Sequence, residues 1–350
     1  MTPEEGRSLF PVLERLAYLN AGTFGPLARA TVAAVQEQLD ADLTGGRFGK
    51  EYFERLLELR KEARSVLGGL VGAEPEQVSL TSSTTDGCNI VLAGLDLRPG
   101  DEVVTTTEEH FGLIGPLHAS GARVVAVRPD AEAIRAAVTP RTKLLALSQV
   151  LWTSGRLLPV RELREQTGVA VLVDGAQSVG AIPVDAAGLD FLTISGQKWL
   201  CGPDSTGALV VADPERLRVA RPSYFSQTAY EPTGSFEPAE GAARFDPGWL
   251  SSAVLSGLLT AVELRPEWAF DHAAEQAARC RELLEPHVDV VPGDATLVAF
   301  RHDDPTALVE RLAAEGVVVR EIPKTGLVRA SCGWWTNEED LNRLAAAVAA

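Results

Sequence analysis

The sequence predicts an open α/β sheet of mainly parallel strands, followed by a smaller α+β unit. Two short aliphatic runs, Ala170–Val173 and Phe191–Ile194, are bounded by Gly and Pro and read as buried strands. Between such runs lie stretches with helical spacing, among them Phe53, Leu56, Leu57 and Leu67. That alternation is the pattern of a sheet linked by crossovers. The third observation is positional: Asp174 follows one run and Lys198 the next, and open α/β sheets place ligands at the carboxyl ends of their strands.

Composition narrows the class. With 350 residues, 45% of them hydrophobic, the chain can bury one large core and a smaller one. No apolar run reaches spanning length, so a membrane protein is not expected. The start, M-T-P-E-E-G-R, lacks a basic segment followed by an apolar one, so no signal peptide is read there. Cys88, Cys201, Cys280 and Cys332 show no C-x-x-C spacing. No metal site or disulfide framework is expected, and a reducing cytoplasm is. A net charge of −16 argues against nucleic acid as a partner, because phosphate backbones call for a basic patch.

In chain order, Tyr18–Pro26 reads as a short strand entering a Gly/Pro turn, and Leu27–Leu70 as helix broken near Thr44-Gly45-Gly46. Val78–Leu80 is a strand and Asn89–Leu95 helical. Between them lies the hydroxyl-rich turn Thr81-Ser82-Ser83-Thr84-Thr85-Asp86-Gly87. Such a turn caps a helix or offers amides and hydroxyls to a phosphate. The strand Asp101–Thr105 leads to Glu108-Glu109-His110-Phe111-Gly112. Arg123–Val127 and Lys143–Leu147 are strands flanking a helix at Asp130–Val138, and Gln149, Trp152 and Thr153 follow the second. Thr206–Ala212 is a strand, Asp213-Pro214-Glu215 starts a short helix, and Arg221–Trp249 is a long segment rich in Pro, Gly and aromatics. Loops of that length are usually functional or disordered. Beyond it come helices Ala253–Leu264, Trp268–Leu284, Pro305–Ala314 and Asn337–Val348, with strands Val288–Val291, Leu297–Phe300, Val317–Glu321 and Val328–Ser331. The division expected is a large domain at 18–248 and a small one from 1–17 with 249–350.

Lys198 follows Ser195-Gly196-Gln197 and precedes Trp199-Leu200, a partly dry turn in which desolvation lowers a lysine's proton affinity. A carboxylate and a lysine at neighbouring strand ends are the least that pyridoxal 5'-phosphate (PLP) chemistry requires. The lysine bonds the aldehyde, and the carboxylate keeps the pyridine nitrogen protonated so that the ring accepts electrons. An ion pair at a sheet edge is the plainer reading of any one Asp and Lys. The wording here is more specific: D-G-A-Q-S-V-G followed by S-G-Q-K-W-L-C-G-P resembles the class V aminotransferases, the fold-type I PLP family that includes the cysteine desulfurases.

The resemblance runs from Tyr18 to Asp340 and implies a mainly parallel seven-stranded sheet with helices on both faces, and a homodimer. It makes Lys198 the cofactor lysine, Asp174 the pyridine partner and Gln177 a donor to the ring hydroxyl. Thr84, Thr85, Ser195 and Gln197 become phosphate ligands, and His110 the residue stacked on the ring and a proton donor, with Phe111 a weaker stacking candidate. Asn20 and Gly22 would line the substrate side, Trp152 would wall the pocket or pack in the core, and Arg329 in V-R-A-S would clamp the substrate carboxylate through its planar fork. Two departures stand out: Gln197 replaces the family's His before the lysine, and Trp249 replaces a Thr that reaches the partner's phosphate. The turn before Arg329, Glu321–Leu327, has no cysteine, so persulfide transfer is disfavoured. L-W-x-x-G at Leu151–Gly155 is similar to the cystine C–S lyase branch. The activity expected is β-elimination from a cysteine-derived amino acid. An aminotransferase or an amino-acid epimerase is the alternative, and a PLP-fold binding protein without turnover a further one. A nicotinamide-dependent enzyme is remote, because no G-x-G-x-x-G opens an early helix.

Overall fold

A computed structural model, describing residues 1–350, places seven strands in one sheet. They are β1 (Val78–Thr81), β2 (Glu102–Thr106), β3 (Arg123–Val127), β4 (Thr142–Ser148), β5 (Val171–Asp174), β6 (Phe191–Ser195) and β7 (Gly207–Val211). Their spatial order is β1-β7-β6-β5-β4-β2-β3. All pairings are parallel except those of β7, which runs against both β1 and β6. The reason is local. A parallel return needs a crossover, usually a helix, whereas residues 196–206 hold only turns.

Both faces of the sheet are covered, which is why its strands read as unbroken apolar runs. Leu145, Leu147, Val173 and Ile194 pack with Leu67 and Leu258 from the helices Gly49–Gly69 and Ser252–Glu263. Leu144, Ala146, Leu172 and Phe191 meet Val91, Leu113 and Leu117 from the helices Thr84–Gly94 and Phe111–Ala119.

The smaller unit is a three-stranded antiparallel sheet with Leu327–Ser331 between Leu297–Arg301 and Arg320–Ile322. Its core joins Phe300, Leu312, Val328 and Leu344 to Ala17 and Leu19 from the other end of the chain. Ala17–Tyr18 pairs in parallel with Val317–Val318, and the Ser331 amide donates to the Leu19 carbonyl at 2.8 Å. The apolar face of Ser252–Glu263 packs with the large sheet, so the change of core comes after that helix. No helix is long and apolar enough to cross a membrane.

Some expectations need correction. Val288–Val291 is not a strand; it makes one bridge, Val290 to Phe300, because Pro292 and Gly293 end the run. Val317–Glu321 is two strands, since Val317–Val318 faces the N-terminal segment and Arg320–Ile322 the small sheet. The helices Pro3–Ser8, Phe111–Ala119 and Val160–Thr167 escaped the sequence pattern; the second contains Gly112, Gly115 and Pro116, poor helix formers held by tertiary packing. Arg221–Trp249 is ordered around the hairpin Gln227–Tyr230/Phe236–Pro238. It is pinned by Asp246, which accepts from Arg60 Nη2 (2.6 Å), Arg64, Ser79 Oγ (3.1 Å) and the Leu80 amide (3.0 Å).

Candidate active site

The expected site residues converge at the carboxyl ends of β2, β4, β5 and β6. Asp174 ends β5 and is 4% exposed. One of its oxygens accepts the Ala176 amide at 2.9 Å, and no cation pairs with it. Lys198, partly buried beyond β6, makes no ion pair with it, so the sheet-edge salt bridge is absent. Burial lowers the Lys198 amine to about 8, against the pull of Asp174. A buried carboxylate without a cation and a lysine that loses its proton readily are together what a pyridinium and an aldehyde call for.

Gln177 is held from two sides. Its Nε2 donates to the Gly22 carbonyl (2.9 Å) and its Oε1 accepts from Trp199 Nε1 (3.0 Å), leaving one N–H free. Ser195 Oγ donates to Gln197 Oε1 (2.8 Å), which frees the Gln197 amide nitrogen to donate. At the start of the helix Thr84–Gly94 the capping is done by Ser83, whose hydroxyl accepts the Asp86 amide at 3.1 Å. The amides and hydroxyls of Thr84 and Thr85 therefore stay available, as an anion site requires. The residues present fit PLP at each end, ring and phosphate.

His110 caps the helix Phe111–Ala119. Its Nδ1 accepts the Gly112 amide at 3.0 Å, so its ring proton sits on Nε2. Burial, and then the charge of Lys198, lower its proton affinity, so the ring is neutral at physiological pH. It meets the Trp152 ring edge-on, 5.0 Å between centroids. Phe111 is 78% exposed and makes no aromatic contact with this pair.

Arg329 is the strongest signal in the molecule. It is fully buried, yet its one protein bond is from Nη1 to the Trp152 carbonyl (2.6 Å), while Nε and Nη2 have no partner. Burial lowers the guanidinium to about 9, helped by Arg320. A Cβ on Gly22 would lie 2.5 Å from Arg329 Nη2, so only glycine lets the Asn20–Gly25 turn approach. Asn20 holds that turn by accepting from Thr23 Oγ1 at 2.8 Å.

Sequence reasoning missed Arg320. It stands directly opposite Arg329 across the small sheet, and its side chain's only hydrogen bond goes to Thr23 Oγ1 (2.9 Å). Like charges directly opposite are unfavourable, and neither arginine has a carboxylate. The readable signal was weak: two arginines on facing strands, legible only once the register was known.

The family profile of the class-V aminotransferases matches residues 18–344. This chain belongs to that family. Isopenicillin N epimerase of Streptomyces clavuligerus is 29% identical, covering 99% of this chain and 97% of that protein. Cysteine desulfurase CsdA of Escherichia coli K12 is 26% identical over 99% and 96%. Among solved structures, the cystine C–S lyase C-DES in complex with its product cysteine persulfide is 28% identical, covers 97% of this chain and 99% of its own, and gives a TM-score of 0.90. A mutant of C-DES was solved with glycine covalently linked to PLP. Like other class-V aminotransferases, then, this chain is a PLP-dependent enzyme of fold type I.

Proposed function

We propose that this enzyme is a C–S β-lyase whose substrate is a cysteine-derived amino acid bearing a second carboxylate. The observation that carries the reading is the pair of guanidiniums at 329 and 320, one buried and both without a carboxylate. Arg329 takes the α-carboxylate in its open fork, and Arg320, beside it, takes a carboxylate beyond the sulfur. Cystine, with two α-carboxylates, has the required shape. The likeness to C-DES and the cysteine-free turn before Arg329 support elimination over persulfide transfer.

Bound PLP supplies an electron sink for the α-carbon. Asp174 would hold the ring's protonated nitrogen, Gln177 its hydroxyl, and Thr84, Thr85, Ser195 and Gln197 its phosphate. Arg329 orients the substrate through its carboxylate so that the α C–H bond faces Lys198 Nζ. Lys198 takes that proton, the Cβ–S bond breaks, and the electron pair leaves with sulfur. His110, neutral and bonded through Nδ1, would serve better as a platform for the cofactor ring than as an acid. The ammonium formed on Lys198 is the better proton source for the departing sulfur. Hydrolysis of the remaining fragment gives pyruvate and ammonia.

The homodimer is part of the same reading. Trp249 and Tyr224 stack at 5.8 Å while 65% and 54% exposed, and Leu43 and Phe48 are 80% and 78% exposed. An apolar surface of that kind fits a second copy of this chain. Four buried free cysteines fit a cytoplasmic location.

The test is product analysis with cystine and with S-alkylcysteines. Pyruvate should form in step with sulfur release, faster from cystine. Amino-group exchange with a keto acid, or epimerisation without pyruvate, would reject the lyase.

A further inference from the structure

Behind the pocket lies a second buried carboxyl group that the proposed reaction leaves idle. Glu109 follows β2 and precedes His110; it is 9% exposed. It accepts hydrogen bonds from Thr106 Oγ1 (3.0 Å), from the Ser148 amide (3.1 Å to each oxygen) and from the Ser148 hydroxyl. No lysine or arginine is among its partners. Ser148 is the register partner of Asp174, and Asp174 that of Thr193. Register partners leave a sheet on one face, so these side chains share the face covered by the helix Thr84–Gly94, where a Cβ on Gly87 would lie 2.9 Å from Thr193 Cγ2.

The charges around Glu109 are all of one sign or neutral. From β5 comes Asp174, and from the covering helix comes Cys88, a thiol held protonated by burial and by both carboxyl groups. On its own loop stand His110, neutral as described, and Glu108, occupied by Thr153 Oγ1 at 2.6 Å. Lys198, Arg320 and Arg329 act on His110, and no cation acts appreciably on Glu109. Burial pushes Glu109 up to about 7, the Ser148 and Thr106 hydrogen bonds hold it down, and the charge of Asp174 adds to the rise.

We propose that Glu109 is a positioning residue for Asp174. It ties the end of β4 beside that carboxylate, and by gaining or losing a proton it sets how firmly Asp174 holds the cofactor's protonated ring nitrogen. An ionised Glu109 adds negative charge behind Asp174 and tightens that hold; a protonated one relaxes it. Binding of the ring nitrogen in turn favours ionisation of Glu109, because the coupling is reciprocal.

The inference rests on the PLP assignment, and its test separates the two. PLP dissociation constants are measured from pH 5.5 to 8.5 in Lys198→Ala and in Lys198→Ala/Glu109→Gln. Without the lysine neither covalent attachment nor its own titration intervenes. The ratio of the two constants cancels the titrations of the ligand. That ratio should shift about tenfold in favour of the variant retaining Glu109 as pH rises through about 7. In the cofactor-free wild type, infrared difference spectra should show a protonated carboxyl band that fades near the same pH and is missing in Glu109→Gln. Ser148→Ala, which removes a hydrogen bond favouring the charged form, should move both steps to higher pH and carries the test should Glu109→Gln fold poorly. A ratio flat with pH overturns the proposal, whether or not affinity falls uniformly, as does a band that ignores Ser148→Ala. Absence of PLP binding in both variants at every pH would instead strike the cofactor assignment, while the infrared titration still reported on Glu109.

Discussion

Two buried arginines in this molecule have opposite surroundings. Arg60 is 2% exposed and meets Asp246, itself fully buried, which also receives Arg64, Ser79 and the Leu80 amide. Its guanidinium lies 4.2 Å from the centre of the Phe225 ring. Arg329 is buried as deeply, with a single carbonyl for company and two nitrogens unanswered. Burying an unpaired charge is costly, and proteins rarely tolerate it without a compensating ligand. Paired with a carboxylate, as Arg60 is although its Nη1 has no partner, such a residue braces the fold. Fully buried without a carboxylate, as Arg329 is, it fits a place where an anion from outside the chain completes the structure.

Removing the proposed base while leaving Arg329 in place should have the largest effect. Lys198→Ala should abolish pyruvate formation, by about 10³-fold or more, while cystine still protects the small unit in hydrogen exchange, because the arginine is untouched. Loss of that protection would detach Arg329 from substrate. Next come the two arginine environments. Asp246→Ala should destabilise the fold by about 3–5 kcal/mol in urea titration, since it strands two cations. Arg329→Leu should do the reverse, leaving stability equal or higher while kcat/KM falls by on the order of 10²-fold, mostly through KM. Equal destabilisation by both substitutions would erase the contrast. Arg320→Gln should be milder and selective, costing about tenfold in kcat/KM with cystine and little with S-methylcysteine. The smallest effect is on assembly: Trp249→Glu should raise the dimer dissociation constant seen by sedimentation, without changing the circular dichroism of the protein.

Much of this was legible in the residues. β3 and the helix Pro305–Ala314 fall where periodicity put them, and β5 and β6 end within a residue of expectation. Buried parallel strands announce themselves by composition. Asp174 and Lys198 were readable because each closes such a run. Arg320 and Glu109 were not, since their significance lies in what they fail to touch, and a missing partner leaves no trace in a linear string. The capping by Ser83 rather than by Thr84 or Thr85 was hidden similarly, because any of the five hydroxyls in T-S-S-T-T can serve. The hairpin at 227–238 escaped because Pro and Gly dominate its segment and its strands are short.

Residues 17–19 are hydrogen-bonded to 317–318 and 331. During synthesis these early residues must therefore wait, unpaired, while more than three hundred others emerge. The large sheet can form on the ribosome from local crossovers, but the turn that approaches Arg329 settles only when the last strand arrives. A nascent chain stalled at residue 300 should expose an intact sheet with an open, non-binding cofactor face, so vitamin capture is expected to be among the last events of its maturation.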